Sequence, residues 1–557
     1  MNRIKSYIIL SVCTLFAFTG CDYLDYDESN GRTKEGAFSY MGNVKGVATN
    51  VYSYLPSDLG SINGAMMESA TDNSVYTWEN NAITKLNNGT WSAKNTIDDA
   101  WNLWAGIRSA NLFLDNFDLE VFKRFEYNED YERDIKIIEK LPYEVRFLRA
   151  FYFFELAKRY GNIPLLTRIY TEDEINSVSP VPFDDVINFV AEECRQVAPE
   201  LPIEHATLTA ETGRATRGAA LALRSRALLY AASKLHNPEG NLTKWEAAAK
   251  AAHDVIALNV YELPKVGVDP LYKGDNDMLQ SKQLIFERRE RDKTNSFEAQ
   301  NEPMGYVGAK GGNTPTQNLV DAYEMSNGEP FDWSNSTHVA NMYYDSDGNP
   351  TRDPRLYLNV LTNGSEWLGQ TVETFEEGKH KIQSGSTLTG YYLRKYMNPS
   401  VSLDPNKSNK LYHHYILFRY AEVLLNYAEA MYEWQGADVK PEGYSLTARE
   451  ALNLVRSSAD MKAIQAEGEE FNEKLRNERR IELAFEGHRF FDLRRWQIAG
   501  GEEVRNIYGV KINKNGDSFT YKKVLVETRK WDDRMYLYPF PQDEIYMCPN
   551  LKQNPGW

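Results

Sequence analysis

Along much of this chain, apolar residues recur at the three- and four-residue spacing of helices that bury one face. In "AWNLWAGIRSANLFLDNF" (100–117) they fall at Trp101, Trp104, Ile107, Leu112, Leu114 and Phe117, which predicts a helix. "LPYEVRFLRAFYFFELAKRYGNIPLL" (141–166) sets Phe147, Leu148, Phe151, Phe154 and Leu156 around more than one face, so this helix is expected to be buried on most sides. Gly161 follows its last basic turn as a helix-ending residue, and Pro164 prevents continuation. Two alanine-rich stretches, 216–235 and 244–258, predict a helix pair whose small side chains let the axes approach closely. Joined by "HNPEGNLT", they have the look of a degenerate tetratricopeptide repeat, whose period is about 34 residues. A second pair is predicted at 415–434 and 446–459, and a further helix at 473–496.

The stretches between are of another kind. Residues 58–98 and 265–414 are rich in Gly, Pro, Asn, Tyr and Trp, with short alternating runs such as "RLYLNVL" (355–361) and "GYYLRKYM" (390–397). They predict loops with a few short strands, and irregular segments this long inside a compact chain tend to carry function. The expected organisation is mainly α: one domain over 21–557, with a helical scaffold at about 100–264 and 412–500 and loop-rich inserts at about 58–98 and 265–411.

The start of the chain reads as a signal. Arg3 and Lys5 precede an apolar run from Tyr7 to Phe18, which is shorter than the roughly 20 residues of a membrane span and suits a secretory segment. Thr19 and Gly20 before Cys21 resemble a bacterial lipobox, with Phe18 where Leu is more usual. Removal of 1–20 would expose Cys21 for acylation, and two or three acyl chains anchor firmly where one is marginal. An ordinary cleaved signal with an incidental cysteine is the alternative. The acids Asp22, Asp25, Asp27 and Glu28 resemble the signal that sends Bacteroidetes lipoproteins to the cell surface.

Charge and composition narrow the function classes. A net charge of −16 argues against nucleic acid as partner. The 35 Tyr and 11 Trp exceed what most soluble enzymes need, which favours a binding surface. Besides Cys13 and Cys21 the chain has Cys194 and Cys548, which leaves one disulfide or two free thiols open. The eight His show no clustered ligand spacing; on a helix the adjacent His413 and His414 would splay about 100° apart, so no shared metal and no cofactor is expected. No phosphate-binding loop, nucleophile elbow or dinucleotide fingerprint is present.

Several motifs together resemble one family. "RFLRAFYFFELAKRYGNIPLL", "ILFRYAEVLLNYAEAM", "NERRIELAFEGHRFFDLRRW" and "YLYPFPQDEIYMCPNLKQNPGW", with the lipobox and its acids, resemble the SusD/RagB family over nearly the whole chain and in the same order. The resemblance implies a scaffold of tetratricopeptide-like helix pairs and a lipid-anchored protein of the outer-membrane surface. It also implies a lid role on a SusC-like TonB-dependent transporter, to which oligosaccharide or polysaccharide is delivered without catalysis. In "NERRIELAFEGHRFFDLRRW", Glu478, Glu482 and Glu486 at i, i+4 and i+8 fall on one helix face among Arg479, Arg480, Arg489, Arg494 and Arg495. Arginine matches carboxylate bidentately, so an ion network is the better reading than a catalytic acid–base pair. The proline-punctuated tail is expected to pack Tyr538, Phe540 and Trp557 onto the scaffold.

A sugar offers C–H faces to flat rings and hydroxyl rims to amides, acids and arginine. Loop aromatics beside such groups are therefore the candidate contacts: Asp72, Asn73, Tyr76 and Trp78 in "TDNSVYTWENN", Trp91 in "NNGTW", and Trp333, Trp367, Tyr391 and Arg394 in the middle insert. The family places glycan contacts in these two regions, a regional likeness only. For each ring the alternative is a place in the loop's own core, whereas Trp101, Trp104 and Trp245 fall at helix-face spacing and are expected in the scaffold core. "DSDGN" (345–349) looks like a calcium loop but lacks the distal Glu, so an ordinary turn is expected. Two alternatives to a glycan receptor stay open. One is a lipid-anchored glycoside hydrolase using carboxylates among Asp72, Glu79, Asp332, Asp345 and Asp353. The other is a peptide-binding uptake protein like the RagB branch.

Overall fold

Alanine sets the spacing of the scaffold. In the computed structural model, which describes residues 33–98, 100–205, 209–383 and 385–557, the helix Arg217–Ala232 buries nearly every small residue it has. It packs between Phe183–Val197 and Leu242–Ile256; Leu242–Ile256 in turn packs on Tyr420–Gln435, and that helix on Ala448–Ser458. These helices form a row in which neighbours in space are neighbours in sequence, except across the middle insert. Side chains start them where expected: Thr216 accepts from Ala219 N, and Thr447 with Glu450 forms a capping box. Leu141–Tyr160 buries Phe147, Leu148, Phe151, Phe154 and Leu156 completely and ends at Gly161, whose φ is 73°. The fold is mainly α and built on tetratricopeptide-like helix pairs with few, short strands.

Contacts divide the chain into two compact units, Met1–Asn50 with Asn116–Leu141, and Val51–Asp115 with Pro142–Trp557. In the smaller, Val44, Ala48 and Ile138 are buried and Lys45 pairs with Asp134 at 3.2 Å. The larger holds the helix row, both inserts and every candidate sugar contact. Cys21 and the expected signal segment 1–20 lie outside the described residues. Among the described residues no helix is long and apolar enough to cross a membrane, and Cys194 and Cys548 are both free.

The structure corrects three elements. Residues 415–434 are not one helix: Tyr415–Arg419 is a strand, antiparallel to Leu284–Arg288, and the helix starts at Tyr420. This two-stranded stem closes the base of the middle insert. Residues 473–496 form two helices, Gly468–Glu482 and Arg489–Arg495, broken where Phe485 (φ 63°) and Gly487 (φ 75°) turn left-handed. "RLYLNVL" is mostly helix, Pro354–Asn359, capped by Asp353 and followed by the two-residue strand Val360–Leu361 paired with Tyr392–Leu393. The longest strands, Asn506–Asn515 and Ser518–Thr528, form a hairpin that the helical pattern did not single out; it turns at Gly516 (φ 63°) and buries Ile507, Val510 and Ile512.

One buried ion network ties these pieces together. Glu478 receives Arg355 at 2.6 Å and Arg456 at 2.8 Å. Glu482 receives Arg355 at 2.7 Å and Arg419 at 2.6 Å. Glu486, at the helix break, receives Arg419 at 2.7 Å and Lys395 at 2.6 Å. The glutamates are paired as expected, but by residues of the insert, its stem and the helix Ala448–Ser458, not by their own sequence neighbours. Those neighbours pair elsewhere: Arg495 with Glu429 and Asp492, Arg479 with Asp492. The tail behaves as expected, with Tyr538 and Phe540 buried. Glu482→Gln leaves two buried guanidinium groups short of a charge and is expected to destabilise the protein by about 3–5 kcal/mol, read as a lower urea midpoint with unchanged m-value.

Candidate functional site

A short ribbon brings the two inserts together. Ser74–Tyr76 pairs antiparallel with Asn313–Pro315, Ser74 opposite Pro315 and Tyr76 opposite Asn313. Asn313 locks the ribbon: its Oδ1 accepts from Met66 N at 2.8 Å and its Nδ2 donates to Gly64 O at 3.0 Å. Tyr76 is buried and lies so close to Gly64 and Gly312 that a Cβ at either would fall within 3 Å of its ring or hydroxyl. Past Tyr76 the pairing continues through Thr77 N to Gly312 O at 2.9 Å, and the next residue, Trp78, emerges on the surface.

Trp78 is 40% exposed. Its Nε1 donates to Lys310 O at 3.1 Å, which fixes the ring. A Cβ on Gly385 would stand 3.9 Å from Cη2, so that glycine borders the ring. Glu79, Asn80 and Lys310 are exposed beside it in the chain or through that hydrogen bond. The arrangement is a partly exposed aromatic ring with an acid, an amide and an amine on exposed neighbouring residues, which suits a sugar ring.

The other candidates are placed differently. Asp72 accepts Arg489 at 2.9 and 2.8 Å and Arg480 at 2.9 Å. Burial opposes its charge, but the two guanidinium groups outweigh it and hold the carboxyl at about 2. Asn73 donates to Glu68 at 2.6 Å and accepts from Arg480 at 2.7 Å. Both are buried and fully engaged, so they brace the ribbon instead of facing sugar. Trp91 is 2% exposed, edge-on to Tyr538 at 5.1 Å and Trp557 at 4.6 Å: the tail covers it. Tyr391 is buried with its hydroxyl on Tyr343 and Gln317, both at 2.6 Å. Trp367 is 3% exposed. None of these three rings can present a face to ligand. Trp333 is half-buried against Phe331, its Nε1 bifurcated to Asp321 at 3.1 Å. Arg394 is half-buried and gives Nη1 to Tyr357 O at 2.6 Å.

Comparison with known proteins decides the family. Residues 282–557 match the model of the SusD family. A SusD-like protein from Bacteroides fragilis superposes with a TM-score of 0.76 at 28% identity, over 94% of this chain and 98% of that one. The chain belongs to the SusD/RagB family. A SusD-like carbohydrate-binding protein from the same organism superposes with a TM-score of 0.73 at 26% identity, over 92% of this chain and 99% of that one. A curated SusD-like protein of Formosa agariphila is 24% identical over 532 residues, 88% of this chain and 90% of the relative.

This SusD-family chain departs from its sequence reading in two further places. Trp101 and Trp104, expected in the core, are half-buried and line a groove of about 610 Å³ with Leu166, Tyr170 and Met547. Lys310 and Gly385, which frame Trp78, were not singled out; the glycine density of "GYVGAKGG" (305–312) was the available signal. In "DSDGN", Asp345 accepts from Asp347 N at 2.9 Å and Asn349 N at 2.8 Å, the hydrogen bonds of an ordinary turn. No group of three or more His, Cys, Asp or Glu able to hold a metal occurs among the described residues.

Carboxylates of the larger unit have opposed titrations. Burial raises Asp58, Glu68 and Glu287 to about 7, while Asp72, Glu429 and Glu482 lie at about 2 because guanidinium groups outweigh burial. The depressed group stabilises the fold above its unfolded values near 4 and loses that contribution as pH falls toward 2. The raised group costs nothing below about 4 and progressively more as pH climbs to 7. Melting temperature is therefore expected to fall as pH drops from about 4 toward 2 in a thermal scan across pH; an unchanged value over that interval would contradict it.

Proposed function

We propose that this protein is a surface glycan receptor. It captures oligosaccharide or polysaccharide on the Trp78 face and passes it to a SusC-like TonB-dependent transporter of the outer membrane, where an acylated Cys21 holds it. Membership of a carbohydrate-binding family supports the reading, as does the solved relative described as carbohydrate-binding. The observation that carries it is Trp78: an exposed indole, fixed through its own N–H, at the junction of both inserts. Four of the five carboxylates open to a hydrolase are engaged elsewhere, and Glu79 stands exposed beside Trp78 without any of them. Asp72 and Asp353 are buried against arginine, Asp345 serves its own turn, and Asp332 binds Ser334 at 2.7 and 2.8 Å. One ring and a few hydroxyl contacts offset little of a flexible sugar's ordering cost, so affinity in the micromolar-to-millimolar range is expected, improving with chain length.

A glycan array with the soluble form starting after Asp22, followed by calorimetry on the hits, tests this. Trp78→Ala is expected to weaken binding about ten-fold or more with an unchanged melting temperature. Trp91→Ala should instead destabilise the fold by about 3–5 kcal/mol. Turnover of any bound glycan would favour a hydrolase, and binding that survives Trp78→Ala but yields to peptide competitors would favour peptide uptake. In cells, Cys21→Ala is expected to abolish palmitate labelling and move the protein out of the membrane fraction; retained labelling would refute acylation at Cys21.

A further inference from the structure

The middle insert also encloses a cavity of about 400 Å³, within the size range of small-molecule sites. Its wall is made by residues 271–278, 394–400 and 412–414, with Leu358 and Trp367. It does not include Trp78.

This wall carries polar groups that the protein leaves unfilled. The Trp367 ring is almost wholly buried, yet its Nε1–H has no acceptor. His413 is buried and spends Nε2 on Glu298 at 2.9 Å, which leaves Nδ1 without a partner. Arg394 gives one hydrogen bond to a main-chain carbonyl, Tyr357 O, and among the described residues no carboxylate pairs with it. Three fully buried arginines are treated otherwise. Arg355 and Arg419 each meet carboxylates, and Arg352, which meets none, donates to the carbonyls of Met342, Val320 and Tyr323. Burial pulls Arg394 below the usual guanidinium range. The Trp367 N–H and His413 Nδ1, buried without partners, and the half-buried Arg394 share one cavity wall and together point to an absent polar ligand.

The acceptor has definable chemistry. A guanidinium fork matches a planar carboxylate better than a point charge would. Asp275 and Asp277, also on the wall, can accept from hydroxyls, although Asp275 already accepts from Tyr412 N at 3.0 Å. Lys395 is committed to Glu486. A ligand with one carboxylate and several hydroxyls meets all of these groups. We propose that this cavity is a second glycan subsite, selective for a carboxylated sugar, in which Arg394 grips the carboxylate of a hexuronate and the Trp367 N–H donates to one of its oxygens. The ligand class rests on the carbohydrate-binding reading above.

The test compares oligogalacturonate and oligoglucuronate with their methyl esters, which keep ring and shape but lose the charge, by calorimetry on the full soluble chain. The free acid is expected to bind about ten-fold tighter than the ester. Arg394→Gln should erase that preference, Arg394→Lys should restore only part of it, and Trp367→Phe should weaken acid and ester alike. Trp78→Ala should leave the acid-to-ester ratio intact. Equal binding of acid and ester by the unaltered protein overturns the inference without reference to any variant, as does a preference that persists in Arg394→Gln. Neutral glycans that bind through Trp78 while uronates show no preference would overturn this subsite alone. Absence of binding to every glycan, neutral or acidic, would overturn the receptor reading with it.

Discussion

The structure depends on burying several arginine–glutamate pairs at once. Arg419 occupies the joint between the last stem strand and the helix Tyr420–Gln435, and it bonds both Glu482 and Glu486. Arg355, inside the insert, bonds Glu478 and Glu482 together with Asp353. Each charge removed from water is costly, and only mutual satisfaction recovers the cost. That condition is met in one arrangement: insert, stem and C-terminal helices must all be present and in register. Apolar packing makes the helix row compact, but it would tolerate sliding. The ion network does not, and it fixes where the insert leaves the scaffold.

The break at Phe485 follows from the same constraint. A continuous helix through 473–496 would carry Glu486 along one face with Glu478 and Glu482. The left-handed turn instead swings it toward Lys395 and Arg419. Phe485 is a bulky residue in a conformation such residues rarely adopt, and burial in the core among Tyr391, Val510 and Ile481 offsets the strain.

The helix pairs were legible because alanine and apolar periodicity are local signals. The need for glutamate–arginine pairing was legible too, since it follows from charge density alone. The identity of the partners was not: Arg355 and Arg419 lie far along the chain, and no local pattern links them to Glu482. The stem strand misread as helix for a related reason. "YILFR" is apolar at both spacings, and only its pairing with Leu284–Arg288 decides between them. At the site, loop position and polar neighbours pointed equally to Trp78 and Trp91. The first stayed at the surface, and the second was covered by Tyr538 and Trp557 from the distant tail. Asp72 and Asn73 looked like sugar contacts for a sound local reason, a polar cluster in a loop. Their arginine partners come from the C-terminal helices and outcompete any ligand.

The pairing of Asp72 with Arg489 joins positions 417 apart in sequence, and Arg529 reaches back 460 positions to Ser69 O. The loops around the binding face therefore cannot acquire their buried charges' partners until the C-terminal helices exist. Closing so long a span is slow, and until then the early half of the polypeptide carries uncovered aromatic rings and lone carboxylates. The order of synthesis thus runs against the order of assembly, and this protein should lean on chaperones before it is complete more than its modest helical units would suggest.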